Sequence, residues 1–260
     1  MFILGLFKRD TAKEPAVQSA LPKAAAFVDY EHWYISLKNN YGLQPNIKGW
    51  FEDLNSKFNL VEVNFFADFS HKSLADEIGR IRLFSNKIID TRSPNGVQKD
   101  FTDFIILDNM YQKALASDDI DVFILFSGDG HFSSVTSFLK NFYHKQVVIY
   151  GVNGSFSKQL KETANVFYTL PTEKDINESF YKSIFDYLKT SPRPNYNEAI
   201  ETAVKKNRGG ASKQKIANAM KTLMENDVIS ERSIANTKGK KQKMLFVDWE
   251  KAEKYMLSGE

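Results

Sequence analysis

The chain has 260 residues, of which 42% are hydrophobic, 13% aromatic and 26% charged, and its formal net charge is +3. This composition is typical of a folded globular protein, and the length predicts one large domain accompanied by a smaller one. The chain contains no cysteine, which excludes disulfide frameworks, zinc–thiolate sites, iron–sulfur clusters and thiol nucleophiles, so any metal ion would be held by oxygen or imidazole ligands.

Residues 1–23 predict a flexible lead-in. Their apolar run, Met1–Phe7, is much shorter than the roughly 20 residues that span a bilayer. The charges of Lys8 and Arg9 follow this run, whereas a signal peptide carries its charges before the apolar segment. We therefore expect a cytoplasmic protein that does not contact membranes.

Residues 24–171 alternate between short β-branched or aromatic runs and amphipathic stretches. This alternation predicts an α/β domain in which βαβ units build a mostly parallel sheet flanked by helices. The predicted strands cover residues 25–29, 60–69, 121–127, 146–151 and 166–170, with a weaker strand at 87–91. The predicted helices cover residues 74–84, 101–116 and 132–143.

Two aspartates stand where predicted strands end, and ligands of open parallel sheets bind at the carboxyl ends of the strands. Asp29 closes the first strand, and Asp129 follows the strand at 121–127 in a Gly-Asp-Gly turn. A helix between them carries Asp103 and Asp108. Such a concentration of carboxylates would require a divalent cation, Mg²⁺ or Mn²⁺. Taken singly, each aspartate is also compatible with a helix cap or a solvated loop.

Three motifs in this part of the chain carry a family resemblance. They are FVDYEHW at residues 27–33, KDFTDFIILD at 99–108 and LFSGDGHF at 125–132. Their order and spacing are similar to those of the NYN domains of the PIN-like nuclease superfamily, including the LabA-like group, over about residues 24–171. The resemblance implies a metal-dependent ribonuclease fold in which Asp29, Asp103 and Asp129 hold Mg²⁺ or Mn²⁺ and act as the catalytic residues.

The sequence departs from the usual family pattern at three positions. His131 replaces the second aspartate of the turn, His32 replaces an asparagine, and Asn109 stands where a second helical acid is usual, one residue after Asp108. Asp108 and His131 are therefore further candidate metal ligands. The residues predicted to contact substrate near the metal are His32, Lys99 and Ser127.

The C-terminal part of the chain is basic. Residues 1–175 hold 19 Lys and Arg against 21 Asp and Glu, whereas residues 176–260 hold 16 against 11. Residues 205–243 alone contain 11 basic residues and three acidic ones. This cluster predicts a surface that binds polyphosphate. A solvated helix face followed by a lysine-rich turn would have the same composition.

The C-terminal elements predict a helical linker at residues 172–195 and a small α+β domain at 196–260. In that domain, helices at 196–206 and 212–224 precede a hairpin of strands 228–234 and 243–248. This order resembles a winged helix, which binds nucleic acid through a helix and the hairpin wing. The predicted phosphate contacts are Lys205, Lys206, Arg208, Lys213, Lys238, Lys240, Lys241 and Lys243. A winged helix that docks a protein partner or a second copy of the chain is the alternative.

Together these features predict a metal-dependent endoribonuclease with a basic nucleic-acid-binding module. The metal-activated water would attack the phosphodiester and leave 5′-phosphate and 3′-hydroxyl ends. Because this chemistry does not use the 2′-hydroxyl, DNA is not excluded as a substrate. The alternative is a catalytically inactive RNA-binding adaptor or a protein-recruiting module built on the same fold.

Overall fold

The computed structural model describes residues 21–93, 101–207, 211–235 and 241–256. Its larger sheet has six strands in the order β3-β2-β1-β4-β5-β6, and all five strand pairs are parallel. The strands are β1 Lys23–Asp29, β2 Asn59–Ala67, β3 Ile88–Asp90, β4 Val122–Phe126, β5 Gln146–Val152 and β6 Val166–Leu170. The predicted α/β architecture with a parallel sheet is confirmed.

Helices cover both faces of this sheet. They are α1 Tyr30–Tyr41, α2 Ile47–Lys57, α3 Lys72–Ala75, α4 Ile78–Arg82, α5 Phe101–Ala116, α6 Ser133–Asn141 and α7 Lys158–Thr163. One apolar core lies between the sheet and α1 to α4, and a second lies between the opposite face and α5 to α7. Strand β1 alternates between them, because Ala26 and Val28 face the first core while Ala25 and Phe27 face the second. Burial on both faces explains why the central strands are apolar throughout.

The strand order indicates at which place along the sheet a ligand is expected to bind. The chain passes from β1 through β2 to β3, and then returns to place β4 on the other side of β1. The connections therefore diverge between β1 and β4, and such a switch point opens a crevice at the carboxyl ends of the two strands. Asp29 ends β1 and Ser127 follows β4 directly, so both lie at this crevice.

Two helical regions differ from the sequence expectation. The predicted helix at 74–84 is divided into α3 and α4. The break coincides with Glu77, which is only 3% exposed because its carboxylate turns inward to accept a 2.6 Å hydrogen bond from the Tyr30 hydroxyl. Helix α2 was not predicted, although Ile47, Trp50 and Leu54 form its buried stripe at helical spacing.

The C-terminal part forms a second core. Its elements are α8 Glu173–Thr190, α9 Tyr196–Lys206, α10 Lys213–Glu225, β7 Ile229–Ala235, β8 Lys241–Val247 and α11 Trp249–Ala252. Strands β7 and β8 pair antiparallel, which confirms a small α+β unit. Helix α8 lies in the segment expected as a helical linker, and its Phe180, Ile184 and Leu188 pack into this core. The likeness to a winged helix remains a prediction, and the tip of the hairpin lies outside the described residues.

Within the described parts of the chain, no helix combines the length and the apolar character that crossing a bilayer requires.

Candidate metal centre

The crevice between β1 and β4 is lined first by Asp29. This residue is the N-cap of α1, and its Oδ1 accepts a hydrogen bond from the His32 backbone N–H at 3.0 Å. Its Oδ2 accepts a hydrogen bond from the Ser127 hydroxyl at 3.1 Å. The Asp29 residue is only 5% exposed, so the fold holds a carboxyl group inside the protein with its orientation set by two donors.

Ser127 connects the two strand-end aspartates. Its hydroxyl donates to Asp29 and also accepts a 3.3 Å hydrogen bond from the Asp129 backbone N–H. Ser127 is fully buried. Its hydroxyl is engaged inside the site, and a contact between Ser127 and substrate stays a prediction.

Three side chains converge at the outer part of the crevice. Asp103 from α5, Asp129 and His131 each offer one ligand atom, and these atoms lie within 4.8 Å of one another. His131 Nδ1 is 3.5 Å from Asp103 Oδ2 and 3.3 Å from Asp129 Oδ1. The turn is held locally, because Asp129 Oδ1 accepts a 2.9 Å hydrogen bond from the His131 backbone N–H. We call Asp29, Asp103, Asp129 and His131 the acidic cluster.

Two carboxyl groups of the acidic cluster are harder to ionise than an exposed aspartate. Burial raises the pKa of the Asp29 carboxyl to about 7, and the charges of Glu31 and Asp129 act in the same direction. Burial also raises the pKa of Asp103 to about 6, assisted by repulsion from Asp29 and Asp129 and opposed by His131. Carboxyl groups that retain protons near neutrality would ionise readily beside a cation.

The donor set fits a divalent ion. Asp103, Asp129 and His131 provide two carboxylates and one imidazole at a crevice that is partly open, since their side chains are 15%, 39% and 64% exposed. Oxygen-rich sets suit Mg²⁺ and Mn²⁺, and a single imidazole moves the preference towards Mn²⁺. A cation bound here would offset the carboxylate repulsion that, together with burial, raises the pKa values of Asp29 and Asp103.

The His32 side chain lies next to the turn at Gly128. Its Nε2 atom is buried and makes no well-formed hydrogen bond within the described residues, and it faces the Gly128 backbone. A Cβ atom on Gly128 would approach His32 Nε2 to 2.6 Å and the Ser155 carbonyl oxygen to 1.8 Å, so only glycine fits. Burial lowers the pKa of His32, which favours a neutral imidazole that supports the turn. Whether His32 contacts substrate stays a prediction.

Asp108, predicted as a further ligand, is not part of the acidic cluster. It is exposed and accepts a 2.7 Å hydrogen bond from the Gln112 side-chain amide. Five residues along a helix correspond to a rotation of about 140°, so Asp103 and Asp108 point in different directions. Lys99, predicted as a substrate contact, lies outside the described residues.

A loop that the sequence analysis did not select completes the crevice. After β5, the Ser157 backbone N–H donates to the Gly128 carbonyl oxygen at 2.8 Å, and the Asn40 side-chain amide donates to the Ser155 hydroxyl at 2.9 Å. The loop therefore holds the turn that bears Asp129. Its sequence signal was a run of polar residues at the carboxyl end of an apolar strand, which is the same signal that identified Asp29.

Comparison with known proteins assigns the chain to a family. The model of the NYN domain matches residues 23–171, which is more than half of the chain. The chain belongs to the NYN domain family. A crystal structure of a protein of unknown function from Vibrio parahaemolyticus has the same fold, with 22% sequence identity and a TM-score of 0.52 over 59% of this chain and 96% of that one. No curated protein matches the sequence.

Membership in the NYN family gives the domain a nuclease-like fold and relates it to nucleic acids. It confirms the resemblance that the three sequence motifs indicated. Within this fold, Asp103, Asp129 and His131 form a cluster that could bind a metal ion. The cluster lies at the edge of the sheet where the sequence analysis expected Asp29 and Asp129 to meet.

Five of the eight predicted phosphate contacts of the C-terminal unit lie within the described residues; all five are exposed, and three of them are paired with acids. Lys206 lies 3.7 Å from Asp186, Lys213 lies 3.8 Å from Glu201, and Lys243 lies 2.7 Å from Glu231. Each pair reduces the local positive charge that a phosphate would meet. Lys205 and Lys241 are also exposed. The other three predicted contacts, Arg208, Lys238 and Lys240, lie outside the described residues.

Proposed function

We propose that this NYN domain is a divalent-metal-dependent nuclease that hydrolyses phosphodiester bonds in RNA. The observation that carries the proposal is the convergence of Asp103, Asp129 and His131, whose ligand atoms lie within 4.8 Å of one another. This cluster stands at the topological switch point of the sheet, beside the buried carboxyl group of Asp29, and ligands of such sheets bind at this point.

Each residue of the acidic cluster has a distinct part in the proposed site. Asp103 and Asp129 would bind Mg²⁺ or Mn²⁺ directly, and Asp29 would add negative charge behind them, oriented by Ser127. His131, the most exposed member, would offer its imidazole as a third ligand. When bound, the ion would lower the pKa of a water molecule and offset the charge that develops on the phosphate.

The RNA would be held partly by the C-terminal unit. Exposed lysines on α9, α10 and β8 (Lys205, Lys206, Lys213, Lys241 and Lys243) can neutralise backbone phosphates, which supplies affinity without sequence specificity. Because the proposed hydrolysis leaves 5′-phosphate and 3′-hydroxyl ends and needs no 2′-hydroxyl, DNA remains a second candidate substrate.

A non-catalytic RNA-binding adaptor is the second candidate function. The observation that favours it is the composition of the site, since Asp108 lies outside the acidic cluster and an imidazole, that of His131, stands where the family pattern has a carboxylate. Fewer carboxylates weaken the hold on Mg²⁺. A protein-recruiting role for the C-terminal unit would accompany either function.

The proposal is tested by incubating the purified chain with end-labelled single-stranded RNA, duplex RNA and single-stranded DNA in Mg²⁺, Mn²⁺ or chelator. We expect cleavage of RNA that requires a divalent ion. The Asp129→Asn variant should lose it, and the matched control Asp108→Asn, an exposed acid on the same side of the sheet, should retain it. RNA binding without cleavage in either ion would favour the adaptor. Cleavage in chelator, or unchanged cleavage in Asp129→Asn, would contradict the proposed site.

A further inference from the structure

An aromatic surface lies at the β6 end of the six-stranded sheet, near the acidic cluster. Phe167 on the edge strand β6 is 47% exposed, and its ring packs edge-to-face against Phe156, with centroids 5.9 Å apart and an interplanar angle of 89°. The Lys161 ammonium group of α7 stands over both rings, 4.8 Å from the Phe156 centroid and 5.2 Å from the Phe167 centroid. We call Phe156, Lys161 and Phe167 the β6 aromatic patch.

The exposure of Phe167 follows from the length of α7. Phe167 pairs with Ile149 of β5, so its ring lies on the face of the sheet that α5, α6 and α7 cover. Helix α7 has only six residues and leaves the edge strand partly uncovered. Exposed apolar side chains on an edge strand invite association with other chains, and proteins usually avoid them. We therefore expect a large exposed aromatic ring at this position to contact a binding partner.

The β6 aromatic patch is connected to the acidic cluster by a short, well-anchored loop. Phe156 stands between Ser155 and Ser157, and the Ser157 backbone N–H donates to the carbonyl oxygen of Gly128, the residue before Asp129. Gly151 makes room for the Phe156 ring, because a Cβ atom there would lie 2.8 Å from Phe156 Cδ1. The Phe156 ring therefore has a fixed position. The next residue, Ser157, hydrogen-bonds to the turn that carries Asp129.

The charge around the patch suits a nucleic acid. Lys158 and Lys161 lie on α7, and the Lys158 side chain is 92% exposed, with its ammonium nitrogen 3.9 Å from Glu162. Aromatic rings flanked by cations are the usual means of binding unpaired nucleobases, since every base has a face that can stack and the cations meet the adjacent phosphates. A base within a duplex cannot stack in this way because its faces are covered by its neighbours.

We propose that the β6 aromatic patch is a base-stacking subsite for single-stranded nucleic acid, adjacent to the acidic cluster. One unpaired nucleobase stacks on the exposed face of Phe167, with Phe156 supporting the ring from the side, while Lys158 and Lys161 meet the neighbouring phosphates. This inference rests on the proposed nuclease function and adds its substrate class, namely single-stranded in preference to duplex nucleic acid.

The test compares RNA binding by the full chain and three variants, in chelator so that the RNA stays intact. Phe167→Ala should weaken the affinity for a labelled single-stranded oligonucleotide by about 5- to 150-fold, the loss that removal of one base–aromatic stack produces. Phe167→Trp retains a ring and should bind like the wild type. Phe142→Ala is the matched control, because Phe142 is 75% exposed but lies at the end of α6. The affinity for duplex RNA should be the same in all four proteins.

The outcomes separate the subsite from the nuclease function. If wild-type and Phe167→Ala chains cleave RNA in Mn²⁺ and bind single strands equally well, the subsite is overturned while the nuclease function stands. A dimeric wild type that becomes monomeric in Phe167→Ala, measured by light scattering, would identify the patch as an interface between copies and would also overturn the subsite. A wild-type chain that neither binds nor cleaves any nucleic acid would overturn both.

Discussion

Replacing Asp29 with asparagine should stabilise the metal-free protein, and only above a defined pH. The Asp29 carboxyl is 5% exposed and has a pKa of about 7 in the folded chain, whereas an exposed aspartate has a pKa of about 3.9. Asparagine has nearly the same shape and can still cap α1. The substitution therefore removes the buried charge while it leaves most of the local structure in place.

The magnitude and sign follow from proton linkage. The folded chain keeps the Asp29 proton between about pH 4 and 7, whereas the unfolded chain has released it, so the free energy of unfolding falls as the pH rises through this window. A shift from 3.9 to about 7 is about three pH units, or on the order of 4 kcal/mol. Below pH 4 the wild type and Asp29→Asn should differ little from this cause, and above pH 7 the variant should be more stable by up to that amount.

The assay is urea denaturation in chelator at several pH values between 4 and 8, with Asp108→Asn as the control because Asp108 is exposed on α5. The stability difference between Asp29→Asn and the wild type should grow steadily with pH, while the control should follow the wild type. Added Mn²⁺ should reverse the order, since an ion that binds the native carboxylates stabilises the wild type more. A stability difference that is independent of pH would show that ionisation of the buried Asp29 carboxyl does not destabilise the folded chain.

Three further outcomes are expected. Asp103→Asn and Asp129→Asn should each lower the cleavage rate at least about a hundredfold, because the metal loses a charged ligand; a variant with the wild-type rate would exclude that residue from the site. Cleavage with Mn²⁺ should exceed that with Mg²⁺, and His131→Asp should improve activity with Mg²⁺; equal activity with both ions, unaltered in the variant, would show that His131 does not reach the metal. Lys205→Ala and Lys241→Ala should each reduce the slope of log affinity against log salt by about 0.7 for single-stranded RNA, and an unchanged slope would remove that lysine from the binding surface.

The layer structure of the fold was predictable because it depends on periodicity. The apolar runs at β4 and β5 lie in the centre of the sheet and are buried on both faces, so their signal is continuous. Helix boundaries that depend on tertiary contacts were harder to predict from the sequence. The division between α3 and α4 accompanies the burial of Glu77 against Tyr30, a contact between residues 47 positions apart that no local pattern encodes.

The acidic cluster was predictable for a similar reason, since Asp29 and Asp129 follow apolar strands and the topology of a parallel sheet brings such positions together. The roles of individual side chains were not. Ser127 is polar and follows a strand like the aspartates, yet it points inward to the Asp29 carboxyl, and Asp108 is turned away from Asp103 by the helical rotation. Sequence position identifies the edge of the sheet, whereas side-chain direction decides which residues share the crevice.

We propose above all that a divalent ion binds between Asp103, Asp129 and His131. Anomalous diffraction at the manganese absorption edge, from crystals of the chain grown with Mn²⁺, tests it most directly. We expect one strong anomalous peak within coordination distance of carboxylate oxygens from both aspartates, with Asp29 behind them, and loss of that peak in Asp103→Asn. A structure from such crystals in which the crevice holds no manganese, or in which manganese binds only elsewhere on the chain, would contradict it.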